Sequence, residues 1–151
     1  MAYAWEGHDW SDPTHAPALA VPDPRTLSYD RDLADRLRGE REARGNDRLF
    51  YMRAAWRSLR ERVIDEWRGA CADCLVASPS RFNPATTVHH DAHVEELPGW
   101  SLSEWWLDES GPVPVVRRNL WPLCERHHNE RHGRFEFAEP RHAAEVTPER
   151  W

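Results

Sequence analysis

The chain has 151 residues, of which 40% are hydrophobic and 30% are charged, and this composition is typical of one globular domain. The net charge of −6 disfavours a protein that binds nucleic acid through overall positive charge, although all 20 basic residues are arginine. No apolar run approaches the roughly 18 residues of a membrane span, and the start lacks a secretory signal. We therefore expect a cytoplasmic protein without membrane contact.

The first part of the chain predicts an arm followed by helices. Residues 1–26 are rich in proline and poor in aliphatic side chains, which predicts an extended, disordered arm. A charged helix is predicted over residues 27–46, with its end at Arg44-Gly45-Asn46. A stronger helix is predicted from Arg48 to Trp67, because apolar side chains recur there every three or four residues. That apolar stripe consists of Leu49, Met52, Trp56, Leu59, Val63 and Trp67.

The second part of the chain predicts two short strands and a final helix. β-branched residues in Ala85–His89 predict one strand, and Asn119–Leu123 predicts another. Between them, residues 94–118 contain tryptophans, prolines and acids, and we expect mostly loop with one helical turn around Leu102–Leu107. Cys124–Gly133 predicts a helix that ends at its glycine.

All three cysteines belong to two short pairs with the spacing of zinc ligands. Cys71-x-x-Cys74 offers two thiolates to one ion, and Cys124-x-x-His127 offers a thiolate and an imidazole one helical turn later. The odd number of cysteines argues against a disulfide framework. The alternative is three buried thiols beside an unrelated histidine. We predict a Cys3His structural zinc site, which would supply folding free energy to a segment with few aliphatic residues.

Histidines occur together at the end of the first predicted strand and in the final helix. His89 and His90 are adjacent, and their side chains should point to opposite sides unless the strand stops there. His128 and His132 lie four residues apart and share one helix face, the spacing by which a helix presents two imidazoles to one ion. His127 lies about 100° around the helix from His128 and cannot readily join them.

These angles predict that the final helix divides its possible ligands between two targets. Cys124 and His127 should face the first cysteine pair. His128 and His132 should face the strand that ends in two histidines.

The pattern CADC…TTVHH…NLWPLCERHHNERHG resembles the signature of the HNH endonucleases, also called ββα-metal nucleases. The segment LFYMRAAWRSLR is similar to the helix before the first CxxC in phage HNH proteins, whose genes often lie beside packaging-terminase genes. The resemblance implies an α+β fold with a small zinc-stabilised ββα-metal core in residues 47–134, preceded by one or two helices. Residues 135–151 are then expected to be a surface tail.

Carried over by position, the resemblance also implies roles for single residues. His90 matches the general base, and Asn119 matches the motif asparagine. His128 matches a ligand of the catalytic ion, and His89 and His132 are similar to further ligands in the colicin nuclease domains. Two departures from the family pattern are His127 in place of the more usual zinc cysteine, and Asp-Ala-His after His90 in place of an apolar residue and proline.

The implied function is metal-dependent hydrolysis of DNA phosphodiester bonds with low sequence specificity, in phage or prophage DNA packaging or processing. The implied cofactors are a structural Zn2+ and one catalytic divalent cation, which could be Mg2+, Mn2+, Ni2+, Co2+ or Zn2+. The implied partners are DNA and phage terminase or packaging proteins. The arginines expected to contact DNA phosphates are Arg117, Arg118, Arg126 and Arg131. The alternatives are a non-catalytic zinc module that docks DNA or protein, and a restriction or toxin nuclease.

Overall fold

The computed structural model describes residues 19–78 and 80–133. Within them the chain is mixed α+β, with five α-helices and two small antiparallel sheets. None of these helices has the length and hydrophobicity needed to cross a membrane. Most of the predicted N-terminal arm and all of the predicted C-terminal tail lie outside the described residues. The helices are α1 (Arg31–Arg44), α2 (Arg48–Met52), α3 (Ala54–Glu66), α4 (Ala72–Ala77) and α5 (Glu125–Arg131), and the strands are β1 (Thr87–His90), β2 (Trp105–Asp108), β3 (Val115–Arg118) and β4 (Leu120–Leu123).

The first helix, α1, forms within the segment predicted to be a charged helix. Asp30 caps its start by accepting a hydrogen bond from the Leu33 amide at 2.9 Å. Its end is at Gly45, as predicted, where the backbone takes a left-handed φ of 77°. Only Ala34 and Leu37 of α1 are buried, so the helix docks on the rest of the protein through a narrow face.

The single helix predicted over residues 48–67 is wrong, because the chain forms two helices separated by Arg53. Arg53 has an extended backbone with a ψ of 145°, so the helical phase restarts after it. Before the break, Phe50 and Tyr51 are buried while Met52 is 56% exposed, which is the reverse of the predicted pattern. After the break the predicted stripe is buried, and it consists of Trp56, Leu59, Val63 and Trp67.

The core lies around the sheet formed by β1 and β4, on which α3 and α5 both pack. The two strands pair antiparallel, with Val88 opposite Pro122 and His89 opposite Trp121. Trp67 and Trp121 are each 1% exposed, and their ring centroids lie 6.0 Å apart. A buried tryptophan removes roughly 150–250 Å² from water, so a few aromatic side chains replace the aliphatic residues that this segment lacks.

The prediction of loop with a helical turn around Leu102–Leu107 is wrong, because β2 and β3 form an antiparallel hairpin there. In this hairpin Trp105 pairs with Arg118, and Asp108 pairs with Val115. Tryptophan and valine favour extended backbone, and the connection contains a Ser-Gly-Pro sequence. The runs WWLD and VVRR on either side of that turn are the signal that would have predicted the hairpin.

Gly99 is a point of close approach between the start of α1 and the segment before β2. A methyl group at Gly99 would lie 2.6 Å from the Tyr29 ring and 2.7 Å from the Asp30 carbonyl oxygen. We expect Gly99→Ala to lower the free energy of unfolding by about 1–3 kcal/mol, because α1 must shift to make room. Urea denaturation measures this change.

Gly39→Ala is the matched control, since Gly39 lies inside α1 with no atom within 4 Å of an added methyl group. The greater helix propensity of alanine should leave this variant unchanged or stabilise it by up to about 1 kcal/mol. Equal stability of the Gly99→Ala and Gly39→Ala variants would contradict the close approach.

Candidate metal centres

Two helix starts bring the predicted zinc ligands together. Cys71 immediately precedes α4 and Cys74 lies in its first turn, whereas Cys124 immediately precedes α5 and His127 lies in its first turn. Their potential ligand atoms all lie within 4.8 Å of one another. The four side chains are thus close enough to hold one metal ion, although the two pairs are far apart in sequence.

Four ligand-atom distances within this cluster are compatible with one tetrahedrally bound ion such as zinc. The Sγ atoms of Cys74 and Cys124 are 3.8 Å apart, and the His127 Nδ1 lies 3.6, 3.2 and 3.4 Å from the Sγ atoms of Cys71, Cys74 and Cys124. Zinc bonds of ~2.3 Å to sulfur and ~2.0–2.1 Å to nitrogen, at tetrahedral angles, put S and S about 3.8 Å apart and S and N about 3.5 Å apart. The donor set therefore fits zinc, with His127 binding through Nδ1.

The surroundings of the cluster also fit a cation. Burial raises the pKa of the Cys71 and Cys124 thiols, and a bound cation would oppose that shift by stabilising the thiolates. The Asn83 side-chain amide donates to the Cys74 Sγ at 3.2 Å. The Glu130 carboxylate lies 3.8 Å from the His127 Nε2, on the side of the ring away from the sulfurs. Groups of this kind orient metal ligands from behind.

A second cluster joins β1 to α5 through three histidines. His89, His128 and His132 each offer a ring nitrogen, and these atoms also lie within 4.8 Å of one another. The centroid of the His89 ring lies 5.8 Å from that of His128 and 4.9 Å from that of His132. The centroids of the His128 and His132 rings lie 4.6 Å apart. His89 and His128 are buried, whereas His132 is half-buried. We call these three residues the histidine cluster.

His90 contacts a different part of the protein from the histidine cluster. Its ring stacks on Trp56 at 4.6 Å and meets the edges of Phe50 and Tyr51 at 6.0 and 6.2 Å. Its Nε2 lies 2.9 Å from the carbonyl oxygen of Ser101, and the residue is 0% exposed. The side chains of His89 and His90 therefore alternate, because pairing with β4 continues through both residues.

Asn119 connects the loops that surround His90. Its Oδ1 accepts from the Ala92 amide at 2.8 Å, and its Nδ2 donates to the carbonyls of Trp100 and Ser103 at 2.9 Å each. These two carbonyls flank Ser101, whose carbonyl lies against the His90 ring. Asn119 thus holds the backbone segment whose Ser101 carbonyl contacts His90.

Two of the four arginines expected to contact DNA are buried in ion pairs, so the prediction is corrected for them. Arg118 is 5% exposed and lies 3.3 Å from Glu66 and 3.5 Å from Glu104. Arg131 is 5% exposed and donates to both carboxylate oxygens of Asp73, at 3.0 and 2.5 Å. A phosphate contact would require these buried guanidinium groups to leave their pairs, and for Arg131 it would leave the buried Asp73 carboxylate uncompensated.

The other two predicted arginines are accessible to a ligand. The Arg117 side chain is 47% exposed and pairs with Asp108 at 2.7 Å, and the Arg126 side chain is 63% exposed and pairs with Glu130 at 3.3 Å. Exposed pairs of this kind contribute little to stability and open at small cost. Either arginine can therefore exchange its carboxylate partner for a phosphate.

Sequence patterns did not indicate a role for Asp73, and they left His93 either as a residue that adjusts the site or as a simple loop residue. Asp73 lies between the zinc-type cysteines, and its pKa is raised by burial although Arg131 opposes that shift. The His93 ring lies beside two rings of the histidine cluster, at 5.9 Å from His89 and 5.6 Å from His132. The presence of three histidines within five residues, at 89, 90 and 93, was a signal for His93. The direction of its side chain, however, depends on the conformation of the loop after β1.

Comparisons with models of known protein families, with curated proteins and with solved structures find no significant match to this chain.

We expect Cys71→Ser to release one zinc ion per chain and to unfold the residues around α4 and α5, because structural zinc binding supplies folding free energy. Zinc content by atomic absorption and far-UV circular dichroism measure the two effects. Asn83→Ala is the matched control, since it removes only the hydrogen bond to the Cys74 sulfur. This control should keep its zinc with affinity lowered by roughly 10–100-fold. A Cys71→Ser protein that stays folded and retains its zinc would contradict the assignment of Cys71 as a zinc ligand.

We expect Arg131→Ala to lower the free energy of unfolding by about 3–5 kcal/mol, because it leaves Asp73 buried without its partner. Arg126→Ala removes an arginine from the same helix whose ion pair is exposed, and it should change stability by less than about 1 kcal/mol. Urea denaturation of the zinc-loaded proteins compares them. Similar losses in both variants would show that the buried pair has no special role.

Proposed function

We propose that this chain is a metal-dependent endonuclease of the HNH type that hydrolyses DNA phosphodiester bonds. The supporting observation is that one short helix, α5, carries ligands of two metal-type clusters and packs on a two-stranded antiparallel sheet. A Cys3His cluster is closed by four ligands, whereas the histidine cluster has three and leaves coordination positions for a phosphate oxygen and water. A structural module needs only the first of these clusters.

The two clusters would have separate tasks. Zn2+ at Cys71, Cys74, Cys124 and His127 would stabilise the fold around α4 and α5. A divalent ion at the histidine cluster supplies, when bound, charge stabilisation for the phosphate and the departing 3′ oxygen. His89, His128 and His132 would hold that ion, and their imidazoles favour Zn2+, Ni2+, Co2+ or Mn2+ over Mg2+.

His90 is the residue that we propose as general base. The Ser101 carbonyl can only accept a hydrogen bond, so it fixes the His90 proton on Nε2 and leaves the lone pair on Nδ1. A neutral imidazole of this tautomer is suited to take a proton from water near pH 7. Because His90 is 0% exposed, this reaction requires the aromatic residues Phe50, Tyr51 and Trp56 to admit water when DNA binds.

DNA binding would be directed mainly at phosphates, through exposed arginines that include Arg117 and Arg126. Among the described residues no helix or ribbon forms a recognisable base-reading module, which supports low sequence specificity. Nicking of DNA during phage packaging or processing, with terminase proteins as partners, is the context that we propose from the sequence resemblance.

A second candidate is a non-catalytic zinc module that docks on DNA or protein. The observation that favours it is the environment of His90, which is buried among aromatic rings as a core histidine would be. The two candidates differ in what they need, because docking requires the Cys3His cluster but not a basic nitrogen at position 90.

A plasmid-nicking assay across divalent ions tests the proposal, with His90→Gln as the central variant. A glutamine side-chain amide can still donate to the Ser101 carbonyl, but it has no basic nitrogen. We expect His90→Gln to lower the cleavage rate by roughly 10²–10⁴-fold, the usual contribution of a general base, with the fold and the zinc content unchanged.

His132→Ala is the matched variant for the ion, and it should lower cleavage in a way that higher metal concentration partly restores. Wild-type protein that cuts no DNA with any of the ions Mg2+, Mn2+, Ni2+, Co2+ or Zn2+ would favour the docking module. Cleavage by His90→Gln at the wild-type rate would show that His90 is a core residue rather than the base.

A further inference from the structure

The loop that follows β1 places a fourth imidazole beside the histidine cluster. The His93 ring centroid lies 5.9 Å from that of His89 and 5.6 Å from that of His132. The pair His89 and His128, whose ring nitrogens are already close enough to share an ion, has a centroid distance of 5.8 Å. The distances from the His93 centroid to those of His89 and His132 are therefore similar to the distance between the His89 and His128 centroids.

The backbone around His93 is fixed, so this proximity is a property of the fold. Ala92 and Val94, on either side, are 1% and 3% exposed. The Ala92 amide donates to the Asn119 side chain at 2.8 Å, and the His93 carbonyl accepts from the amides of Glu96 and Leu97 at 3.1 and 2.8 Å. The imidazole itself is half-buried and lies beside the rings of His89 and His132.

We propose that His93 is a fourth ligand of the ion bound by His89, His128 and His132. Two imidazoles that bind one ion at the ~2.0–2.1 Å distance of zinc hold their ring centroids roughly 4.5–5.5 Å apart. Among the described residues, the imidazoles whose nitrogens already lie within 4.8 Å of one another are those of His89, His128 and His132, so the His93 ring must turn and move towards all three to bind the same ion. This inference rests on the metal centre of the proposed function and adds a residue to it.

A fourth imidazole changes which ions the centre accepts. Four nitrogen ligands favour Zn2+, Co2+ and Ni2+ and disfavour Mg2+, which prefers oxygen. Four-coordinate Zn2+ would have no open position with His93 bound, so a phosphate would have to displace this imidazole. His93 is the member suited to that exchange, because it lies on a loop rather than on β1 or α5.

The test is a Co2+ titration of the full chain that already holds one equivalent of Zn2+, followed by visible absorption. Wild-type protein is compared with His93→Ala, with His132→Ala, and with Glu96→Ala as a control for the same loop. We expect His93→Ala to bind Co2+ at least about tenfold more weakly, since even outer partners of a metal site contribute 10–100-fold. The visible spectrum of its bound Co2+ should become that of an ion with more water ligands. Free imidazole should restore the wild-type spectrum.

Mg2+ in excess should fail to displace Co2+ from the wild-type protein, and Glu96→Ala should behave like wild type. If His93→Ala matches wild type in affinity and spectrum while His132→Ala loses the Co2+ signal, the fourth-ligand inference is overturned and the three-histidine centre stands. If the wild-type protein shows no Co2+ signal that depends on His132, the proposed metal centre and the inference both fail. Circular dichroism and zinc content confirm that each variant is folded.

Discussion

The helix α5 serves two metal-type clusters within two turns, and most of the site follows from this constraint. Consecutive helical residues differ in direction by about 100°, so adjacent histidines cannot easily bind the same ion. His127 consequently joins the cysteines, while His128 faces His89 on β1. A rotation of α5 would move His127 and His128 together, so the geometry of both clusters depends on the orientation of this helix. The contacts around α5 must therefore hold this helix in one orientation.

Contacts at both ends of α5 supply that orientation, because a helix of seven residues is not stable alone. At its start, Cys124 and His127 lie with the cysteines around α4. At its end, the Arg131 guanidinium donates to Asp73 and lies 5.0 Å from the centre of the Trp121 ring. Asp73 lies between Cys71 and Cys74 in one short segment, so this segment contacts α5 near both of its ends. Arg131, one of the four arginines that we expected to bind DNA, instead joins α5 to Asp73.

The strand β1 gives two neighbouring histidines different surroundings. His89 faces α5 and other imidazoles, whereas His90 faces aromatic rings of α2 and α3. One environment suits metal binding, and the other places the His90 Nε2 2.9 Å from the Ser101 carbonyl oxygen. Asn119 precedes β4, the partner strand of β1, and its side chain hydrogen-bonds the backbone at Ala92 after β1 and at Trp100 and Ser103 before β2. If the chain is a nuclease, the ion and the base are positioned by the same four-residue strand.

The sequence by itself determined which residues could be ligands and how they divide. The spacing of the cysteines, and the four-residue separation of His128 and His132, are local properties, because helical periodicity does not depend on the rest of the chain. The strands β1 and β4 and the end of α1 at Gly45 were predictable because β-branched runs and a glycine after a helix are also local signals. Only the tertiary structure decided what is buried. Arg118 and Arg131 have buried guanidinium groups in ion pairs, and His93 lies beside the histidine cluster, because these outcomes depend on contacts between segments distant in sequence.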